Sequence, residues 1–208
     1  MAGKLIVFEG PEGSGKTTIA KKVYFYLKKY YKNIVFLREP GGTEISEKIR
    51  KILLNNKNKN LDKKAELLLY LASRAQLVNE KIKKLIKKNY IIIMDRFYLS
   101  TIVYQGYARN MDIDLIKKLN EFVLDGLKTN LTVILDANLK TIFYRLKKRK
   151  KNNRIDNENE NFHKKIRYGY LKEAKNNKDT VIINTDDKTI YEVFINALNT
   201  LKDKGIGK

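Results

Sequence analysis

The sequence predicts an α/β fold in which helices cover both faces of a five-stranded parallel sheet. Its 208 residues suffice for one domain, because globular domains hold roughly 150 residues each. Five short apolar runs alternate with longer helical patterns, and they span residues 5–8, 34–37, 91–94, 131–135 and 181–183. Continuous apolar runs of this length are typical of strands that are buried on both faces. We therefore expect a single domain over residues 1–208.

The charge of the chain indicates an anionic partner. Lys and Arg total 44 and Asp and Glu total 23, which gives a formal net charge of +21. Such a charge attracts anions over several ångströms. Only nine of the basic residues are arginines, and solvated helix faces explain the lysine excess most simply. We expect small anionic substrates and no nucleic acid, with salt-dependent nucleic-acid binding as an open alternative.

The absence of cysteine excludes several classes of site. A chain without cysteine has no disulfide framework, no thiolate nucleophile and no cysteine metal site. No run approaches the roughly 18 apolar residues that a membrane-spanning helix needs. The first 25 residues have the pattern of a strand, a glycine loop and a helix instead of a signal peptide. We expect a cytoplasmic protein with no membrane partner.

Helical periodicity is clearest in two stretches between the predicted strands. After the first strand, Ile19, Val23, Leu27 and Tyr30 recur at helical spacing. From residue 61 to residue 88 an apolar set repeats every three or four residues and predicts the longest helix; its members are Leu68, Leu71, Ala75, Val78, Ile82 and Leu85. His163, the only histidine, lies on a polar helical pattern and is expected to be exposed.

A glycine-rich loop connects the first predicted strand to the first predicted helix. It reads Gly10-Pro11-Glu12-Gly13-Ser14-Gly15-Lys16-Thr17 and is followed by Thr18, which fits the phosphate-binding pattern Gly-x-x-x-x-Gly-Lys-[Ser/Thr]. Backbone N–H groups of such a loop surround a phosphate, and the lysine reaches the β and γ phosphates. We expect residues 10–18 to bind a nucleoside triphosphate. The fold is then a three-layer α/β/α fold of the P-loop NTPase type.

A carboxylate at the end of the third predicted strand completes a nucleotide site. Asp95 follows the apolar run 91–94, where it can hold Mg²⁺ together with the Thr17 hydroxyl. The next residue is Arg96 and not the second acid that many water-activating ATPases use, which favours phosphoryl transfer over hydrolysis. The chain has no Asn-Lys-x-Asp guanine motif, so adenine is the expected base and ATP with Mg²⁺ the expected cofactors.

Four segments together resemble the bacterial-type thymidylate kinase family. They are residues 9–18, Arg38-Glu39-Pro40-Gly41-Gly42-Thr43, Ser73-Arg74-Ala75-Gln76, and Asp95-Arg96-Phe97 leading to Tyr104-Gln105-Gly106. The resemblance implies transfer of the γ-phosphate of ATP to dTMP, which gives dTDP and ADP, by a homodimeric enzyme. A P-loop kinase of another small phosphorylated acceptor is the alternative, and a basic nucleic-acid-binding protein that uses ATP as a switch is a second.

The resemblance also assigns substrate-binding roles. Tyr70 stacks on the thymine, Thr101 touches the N3 edge, Tyr104 crowds the 2′ position and Glu12 faces the 3′ hydroxyl. Three arginines meet the acceptor phosphate and a fourth donates to a base carbonyl. The full set is Glu12, Arg38, Arg50, Tyr70, Arg74, Arg96, Thr101, Tyr104 and Gln105. The resemblance suggests a sharp turn at Glu39-Pro40, and the sequence leaves its isomer open.

A polar segment at residues 147–161 is expected to act as a mobile LID loop over the site. The family carries a catalytic arginine either in the P-loop or in the LID, and this P-loop has none. Of Arg149 and Arg154, the second is the better candidate, although Asn153 stands where the family often has an acid. The expected catalytic set is Lys16, Asp95, Arg96, Arg154 and Glu12.

Overall fold

The computed structural model describes residues 2–148, 153–175 and 177–206 of the 208-residue chain. Within them lies a five-stranded sheet in the order β2-β3-β1-β4-β5, and every neighbouring pair is parallel. The strands are β1 (Lys4–Glu9), β2 (Ile34–Arg38), β3 (Ile91–Asp95), β4 (Leu131–Asp136) and β5 (Thr180–Asn184). Each contains one of the five apolar runs of the sequence, so the predicted sheet is confirmed.

Helices connect the strands. The α-helices are α1 (Lys16–Leu27), α2 (Glu44–Leu54), α3 (Lys63–Leu77), α4 (Lys83–Lys87), α5 (Tyr98–Thr101), α6 (Ile113–Leu124), α7 (Leu139–Lys147), α8 (Glu160–Lys175) and α9 (Ile190–Asp203). Two π-helical segments, π1 (Val78–Ile82) and π2 (Ile102–Ala108), continue α3 and α5. None of the helices in the described ranges is both long and apolar enough to cross a bilayer.

The core lies on both faces of the sheet, because successive strand residues point in opposite directions. On one face, Ile6 and Phe8 of β1 pack in a cluster with α1 and α9. On the other, Leu5 and Val7 pack in a cluster with π1. A third cluster joins Ile134 of β4 to α3, π2, α6 and α8. The predicted three-layer α/β/α arrangement is thus confirmed.

The long helical run differs from the prediction in its phase. It extends from α3 through π1 to α4, residues 63–87, as expected. Leu68, however, is 59% exposed, and its neighbour Leu67 is buried instead. The buried stripe of α3 runs through residues 67, 71, 74 and 77, all of which precede π1. Leu68 is about 100° around the helix from Leu67 and lies outside that stripe. Tyr30 likewise lies beyond the end of α1 and is exposed.

The segment around the predicted LID is more buried than its composition suggests. Helix α7 ends at Lys147 and α8 begins at Glu160. Arg154, Ile155 and Asp156 are buried although the composition of this segment is polar, and the LID over residues 147–161 stays a prediction. Arg149, the other candidate LID arginine, lies outside the described residues. His163 is 0% exposed between the rings of Phe143 and Phe162, so the prediction of an exposed histidine was wrong.

Candidate active site

The phosphate-binding loop lies at the carboxyl end of β1. Gly13 and Gly15 adopt φ angles of 77° and 90°, which glycine tolerates and other residues rarely adopt. A Cβ added to Gly15 would meet no neighbouring atom within 4 Å among the described residues, so there is open space beside the loop at this position. Helix α1 begins at Lys16, and the first N–H groups of a helix have no intrahelical partners. The loop therefore offers the donors and the space that a phosphate requires.

Thr17 and Asp95 form a pair that fits Mg²⁺. The Thr17 hydroxyl donates to Oδ2 of Asp95 over 2.6 Å. Oδ1 of the same carboxylate is buried, and no atom of the described residues donates to it. A buried carboxylate oxygen without a donor is costly unless a cation or water meets it. One hydroxyl and one carboxylate, with phosphate oxygens and water, are the ligands that Mg²⁺ uses at nucleotide sites.

Arg96 lies where the carboxyl end of β3 meets the phosphate-binding loop. Its φ of 66° is in the left-handed region, which is strained for a residue with a side chain. Nη2 donates to Glu12 over 2.5 Å, and Nη1 lies within hydrogen-bond distance of the Gly10 carbonyl, Ser100 Oγ and Tyr170 Oη. The guanidinium also lies 5.0 Å from the centre of the Tyr104 ring. This network fixes one cation directly beside the phosphate-binding loop.

Glu12 is a buried carboxylate inside the loop and remains ionised. One oxygen accepts from Arg96 and the other accepts from the Tyr104 hydroxyl over 2.5 Å. Burial alone would raise the pKa of Glu12, but the charges of Arg96 and Lys16 and the Tyr104 hydrogen bond hold this pKa below its ordinary value. Glu12 thereby joins the loop to the side chain that was predicted to contact the sugar.

Two further arginines meet at the turn after β2. Nη1 of Arg38 and Nη1 of Arg50 both donate to the Pro40 carbonyl, over 2.8 Å and 2.9 Å. The Glu39-Pro40 peptide is cis, which answers the question that the sequence left open. Arg38 also pairs with Glu47 over 2.9 Å. Burial lowers the pKa of Arg50, and the nearby Arg38 charge lowers it further, so this corner concentrates positive charge.

Three further lining residues have the features of a base pocket. Tyr70, Thr101 and Gln105 line the cavity, and the Thr101 hydroxyl is buried with no partner among the described residues. Burial raises the pKa of Tyr70 to about 12, so its ring is neutral at physiological pH. An uncharged aromatic ring beside a hydroxyl without a partner can both stack on a heterocycle and bond to its edge.

Arg74 is more buried, and bonds to more protein groups, than its predicted role as a donor to the base suggested. It is 1% exposed, and its Nε and Nη2 bind the Glu39 carboxylate, with the Nη2 contact at 2.5 Å. Nη2 also donates to the Phe97 carbonyl, and Nη1 donates to Asn120 over 2.7 Å. Burial raises the pKa of Glu39 to about 7, although Arg74 opposes that rise. Four of five guanidinium N–H groups are thus used by residues that the structure describes.

All nine residues predicted to bind the acceptor line one cavity, together with Lys16, Thr17 and Asp95. Residues 153, 155 and 156 of the LID segment complete its wall. Arg154 itself is held elsewhere, because Nη2 pairs with the buried Glu66 and Nε donates to the Leu53 carbonyl over 3.2 Å. Its predicted catalytic contact stays a prediction.

Sequence reasoning missed several residues that position this site. Glu9 is buried at the end of β1 and accepts from the Phe97 and Ser100 N–H groups and from the hydroxyls of Ser100 and Tyr170. Arg145 of α7 donates to the Gly13 carbonyl over 3.1 Å and so fixes the phosphate-binding loop from outside. An acid at the end of an apolar strand was a usable signal for Glu9, whereas nothing local pointed to Arg145.

Comparisons with known proteins agree with this geometry. A family model described as thymidylate kinase matches residues 8–194. The thymidylate kinase of Geobacillus sp. (strain WCH70) is 40% identical over 210 residues, which cover 100% of both chains. That of Clostridium novyi (strain NT) is 45% identical over 172 residues, or 82% of this chain and 84% of the relative.

A solved structure gives the same result. The crystal structure of thymidylate kinase from Ehrlichia chaffeensis superposes with a TM-score of 0.78 at 33% identity. The match covers 97% of this chain and 99% of that one. The chain belongs to the thymidylate kinase family.

Proposed function

We propose that this site transfers the γ-phosphate of ATP to dTMP and releases dTDP and ADP. One observation carries the proposal: two anion-binding arrangements open into the same cavity. The phosphate-binding loop with Lys16 forms one, and the guanidinium groups of Arg38, Arg50 and Arg96 form the other. A triphosphate donor and a monophosphate acceptor require two such adjacent arrangements. Membership of the thymidylate kinase family supports ATP as the donor.

The chemistry needs positioning and positive charge more than a general base. A monophosphate with a second pKa near 6 is already largely dianionic at pH 7, so its oxygen is a ready nucleophile. Lys16 and Arg96 neutralise the charge of the transferring group and align donor with acceptor. Thr17 and Asp95 would hold Mg²⁺, which supplies further charge neutralisation between the phosphates.

Base selection is proposed to come from Tyr70, Thr101 and Gln105. The Tyr70 ring provides a stacking surface, and the Thr101 hydroxyl is a buried group that needs a partner. The N–H of Arg74 not used by described residues provides a fixed donor for a base carbonyl. A pyrimidine with two carbonyls and one N–H at its edge complements this set.

Sugar selection is proposed to come from Tyr104 and Glu12. The Tyr104 hydroxyl is fixed on the Glu12 carboxylate, so neither group can move aside easily. A rigid aromatic ring beside the sugar leaves little space for a 2′ hydroxyl. The carboxylate beside it is an acceptor for the 3′ hydroxyl.

The LID arginine is proposed to complete the charge around the transferring phosphoryl group, with Arg154 as the expected residue. Its guanidinium would have to separate from Glu66 to make that contact. Excluding water is the second proposed task of this segment, because residues 153, 155 and 156 already form one wall of the cavity.

The test is an ADP-release assay with ATP and Mg²⁺ across a panel of nucleoside monophosphates. We expect dTMP to be the preferred acceptor by a wide margin. In the variant Tyr70→Ala, the KM for dTMP should rise about tenfold or more through loss of stacking, while the KM for ATP stays within about twofold. Tyr191→Ala, which removes an exposed ring on α9, is the control. Equal turnover of dCMP or dAMP would contradict the assignment.

We also propose that the protein is a homodimer in the cytoplasm. Ile45 and Ile52 of α2, Leu68 of α3, and Leu115 and Phe122 of α6 are exposed apolar residues, and Phe122 is 82% exposed. Helix α3 packs against both α2 and α6, so the three helices form a continuous surface. Clustered exposed apolar residues often mark an interface. A mass from sedimentation equal to the 24.3 kDa of one chain would argue against the dimer. Cell fractionation tests the cytoplasmic location.

A further inference from the structure

Glu66 lies on α3, one turn before Tyr70, so both side chains project from the same side of the helix. Its carboxylate is 1% exposed. A buried carboxylate costs free energy unless cations and donors surround it. No role in the proposed reaction explains why this helix carries an acid there.

Four contacts from three residues, in two different parts of the chain, meet on this carboxylate. Oε1 accepts from Gln105 Nε2 over 2.8 Å and lies 3.3 Å from Arg109 Nε. Oε2 pairs with Arg154 Nη2 and lies 3.4 Å from Arg109 Nη2. Burial would raise the pKa of Glu66, but Arg109, the Gln105 bond and Arg154 outweigh it and keep this pKa low.

The same group of residues ties the LID segment to the rest of the domain. Arg109 pairs with Glu158 over 2.6 Å and lies over the Phe162 ring at 4.6 Å. Arg154 and Glu158 therefore both contact the Glu66–Arg109 pair, and Arg154 is also attached through the Leu53 carbonyl. Because residues 153, 155 and 156 form part of the cavity wall, the position of that wall depends on this attachment.

Gln105 connects the attachment to the base pocket. Its side chain lines the cavity, and its amide donates to the same carboxylate that pairs with Arg154. That bond assigns the amide nitrogen toward Glu66 and leaves the Gln105 carbonyl oxygen toward other partners. A change at Glu66 would thus disturb both the base pocket and the LID segment.

We propose that Glu66 is a positioning residue for the acceptor: one carboxylate orients Gln105 in the base pocket and anchors the LID segment through Arg154 and Arg109. The inference rests on the proposed function, since it concerns how the same cavity accepts its monophosphate. Glu66 acts through its partners and does not contact the reacting atoms. Acceptor use should therefore depend on it, whereas ATP binding should not.

The test is a double-mutant cycle on the full chain with Glu66→Gln and Arg154→Gln. Glu173→Gln is the matched control, because the Glu173 carboxylate also accepts from neighbouring side chains, Tyr107 and Lys117, but neither of these partners lines the acceptor cavity. The ADP-release assay gives kcat/KM for dTMP and KM for ATP, and thermal unfolding gives Tm for each variant.

We expect Glu66→Gln to lower kcat/KM for dTMP about tenfold or more, which is the effect of losing a charged hydrogen bond, with the KM for ATP within about twofold. The double variant should lose less than the product of the two single losses, because both changes break the Glu66–Arg154 pair, whereas only Glu66→Gln also affects Gln105. Glu173→Gln should keep both constants within about twofold.

Three results would overturn the proposal. The first is a kcat/KM for dTMP in Glu66→Gln that stays within twofold of wild type. The second is a double variant in which the two single losses multiply. The third is a Glu66→Gln variant with a lowered Tm but unchanged dTMP kinetics. Should Glu66→Gln not fold, Glu66→Asp keeps the charge and shortens the reach. It should lower kcat/KM for dTMP by a smaller factor, and wild-type kinetics would again overturn the proposal. A wild-type chain that does not phosphorylate dTMP refutes the proposed function instead.

Discussion

Replacing Arg96 separates its contribution to stability from its contribution to the reaction. In Arg96→Ala, the Glu12 carboxylate loses its 2.5 Å partner while both side chains are largely buried, at 16% and 9% exposed. Breaking a buried ion pair costs roughly 3–5 kcal/mol. The lower end of this range applies, because Lys16 and the Tyr104 hydroxyl still stabilise the Glu12 carboxylate. We expect the free energy of unfolding to fall by about 3 kcal/mol.

A second substitution at the same position isolates the backbone contribution. Alanine at φ 66° keeps the left-handed strain, whereas glycine adopts that angle freely. Arg96→Gly should therefore be roughly 1 kcal/mol more stable than Arg96→Ala. Urea unfolding of the three proteins measures both differences. An Arg96→Gly variant less stable than Arg96→Ala would contradict this prediction, because the strain would then be smaller than the extra backbone entropy that glycine loses on folding.

Activity should fall equally in both variants, since both lose the guanidinium. Removing one preoriented donor from a transition state lowers the rate by about 10²–10³, and a cation on a phosphate belongs at the upper end. We expect kcat/KM for dTMP to fall by about 10³, or about 4 kcal/mol, in the ADP-release assay. A folded Arg96→Ala variant within tenfold of wild type would refute the placement of this residue beside the reacting phosphate.

Three further predictions concern single groups. Thr17→Ala should raise the Mg²⁺ concentration for half-maximal turnover about tenfold or more, because the metal loses a ligand beside Asp95. An unchanged Mg²⁺ titration would contradict the metal assignment. The pKa of Glu12 lies below the ordinary 4.5, so its ionised form stabilises the fold above pH 4.5, and this stability is lost as the pH falls further. In Glu12→Gln, the free energy of unfolding should depend less on pH, which urea unfolding between pH 3 and pH 7 measures. His163→Leu should leave the free energy of unfolding within about 1 kcal/mol of wild type, because neither ring nitrogen bonds to any residue in the described ranges; a loss above about 2 kcal/mol would reveal a partner.

The strands and the phosphate-binding loop were predictable because their signals are local. A run such as 91–94 has no polar residue to place at a surface, so it must lie inside the sheet. The glycines of the loop encode their own backbone angles, and the helix that follows needs no distant contact to begin at Lys16. The resemblance to the family added the acceptor-binding residues, which the structure brings together in one cavity.

The phase of the long helix was less predictable. Leu67 and Leu68 have the same side chain, and packing against π2, α6 and α8 decides that Leu67 is the buried one. The burial of His163 was also not predictable from the residues around it in the sequence. Apart from Phe162, its neighbours along the chain are polar, but its helix turns it toward Phe143, which lies on a different helix.

By itself, the sequence determined the five-stranded parallel sheet, the position of the phosphate-binding loop and the residue types available to an acceptor pocket. Only the tertiary structure decided which charges are paired: Arg74 with Glu39, Arg96 with Glu12, and Arg154 with Glu66. The reason is physical. Backbone geometry and apolar burial depend on a few consecutive residues, whereas a buried charge takes whichever opposite charge the packed elements bring within about 3–4 Å, however far apart the two lie in the chain.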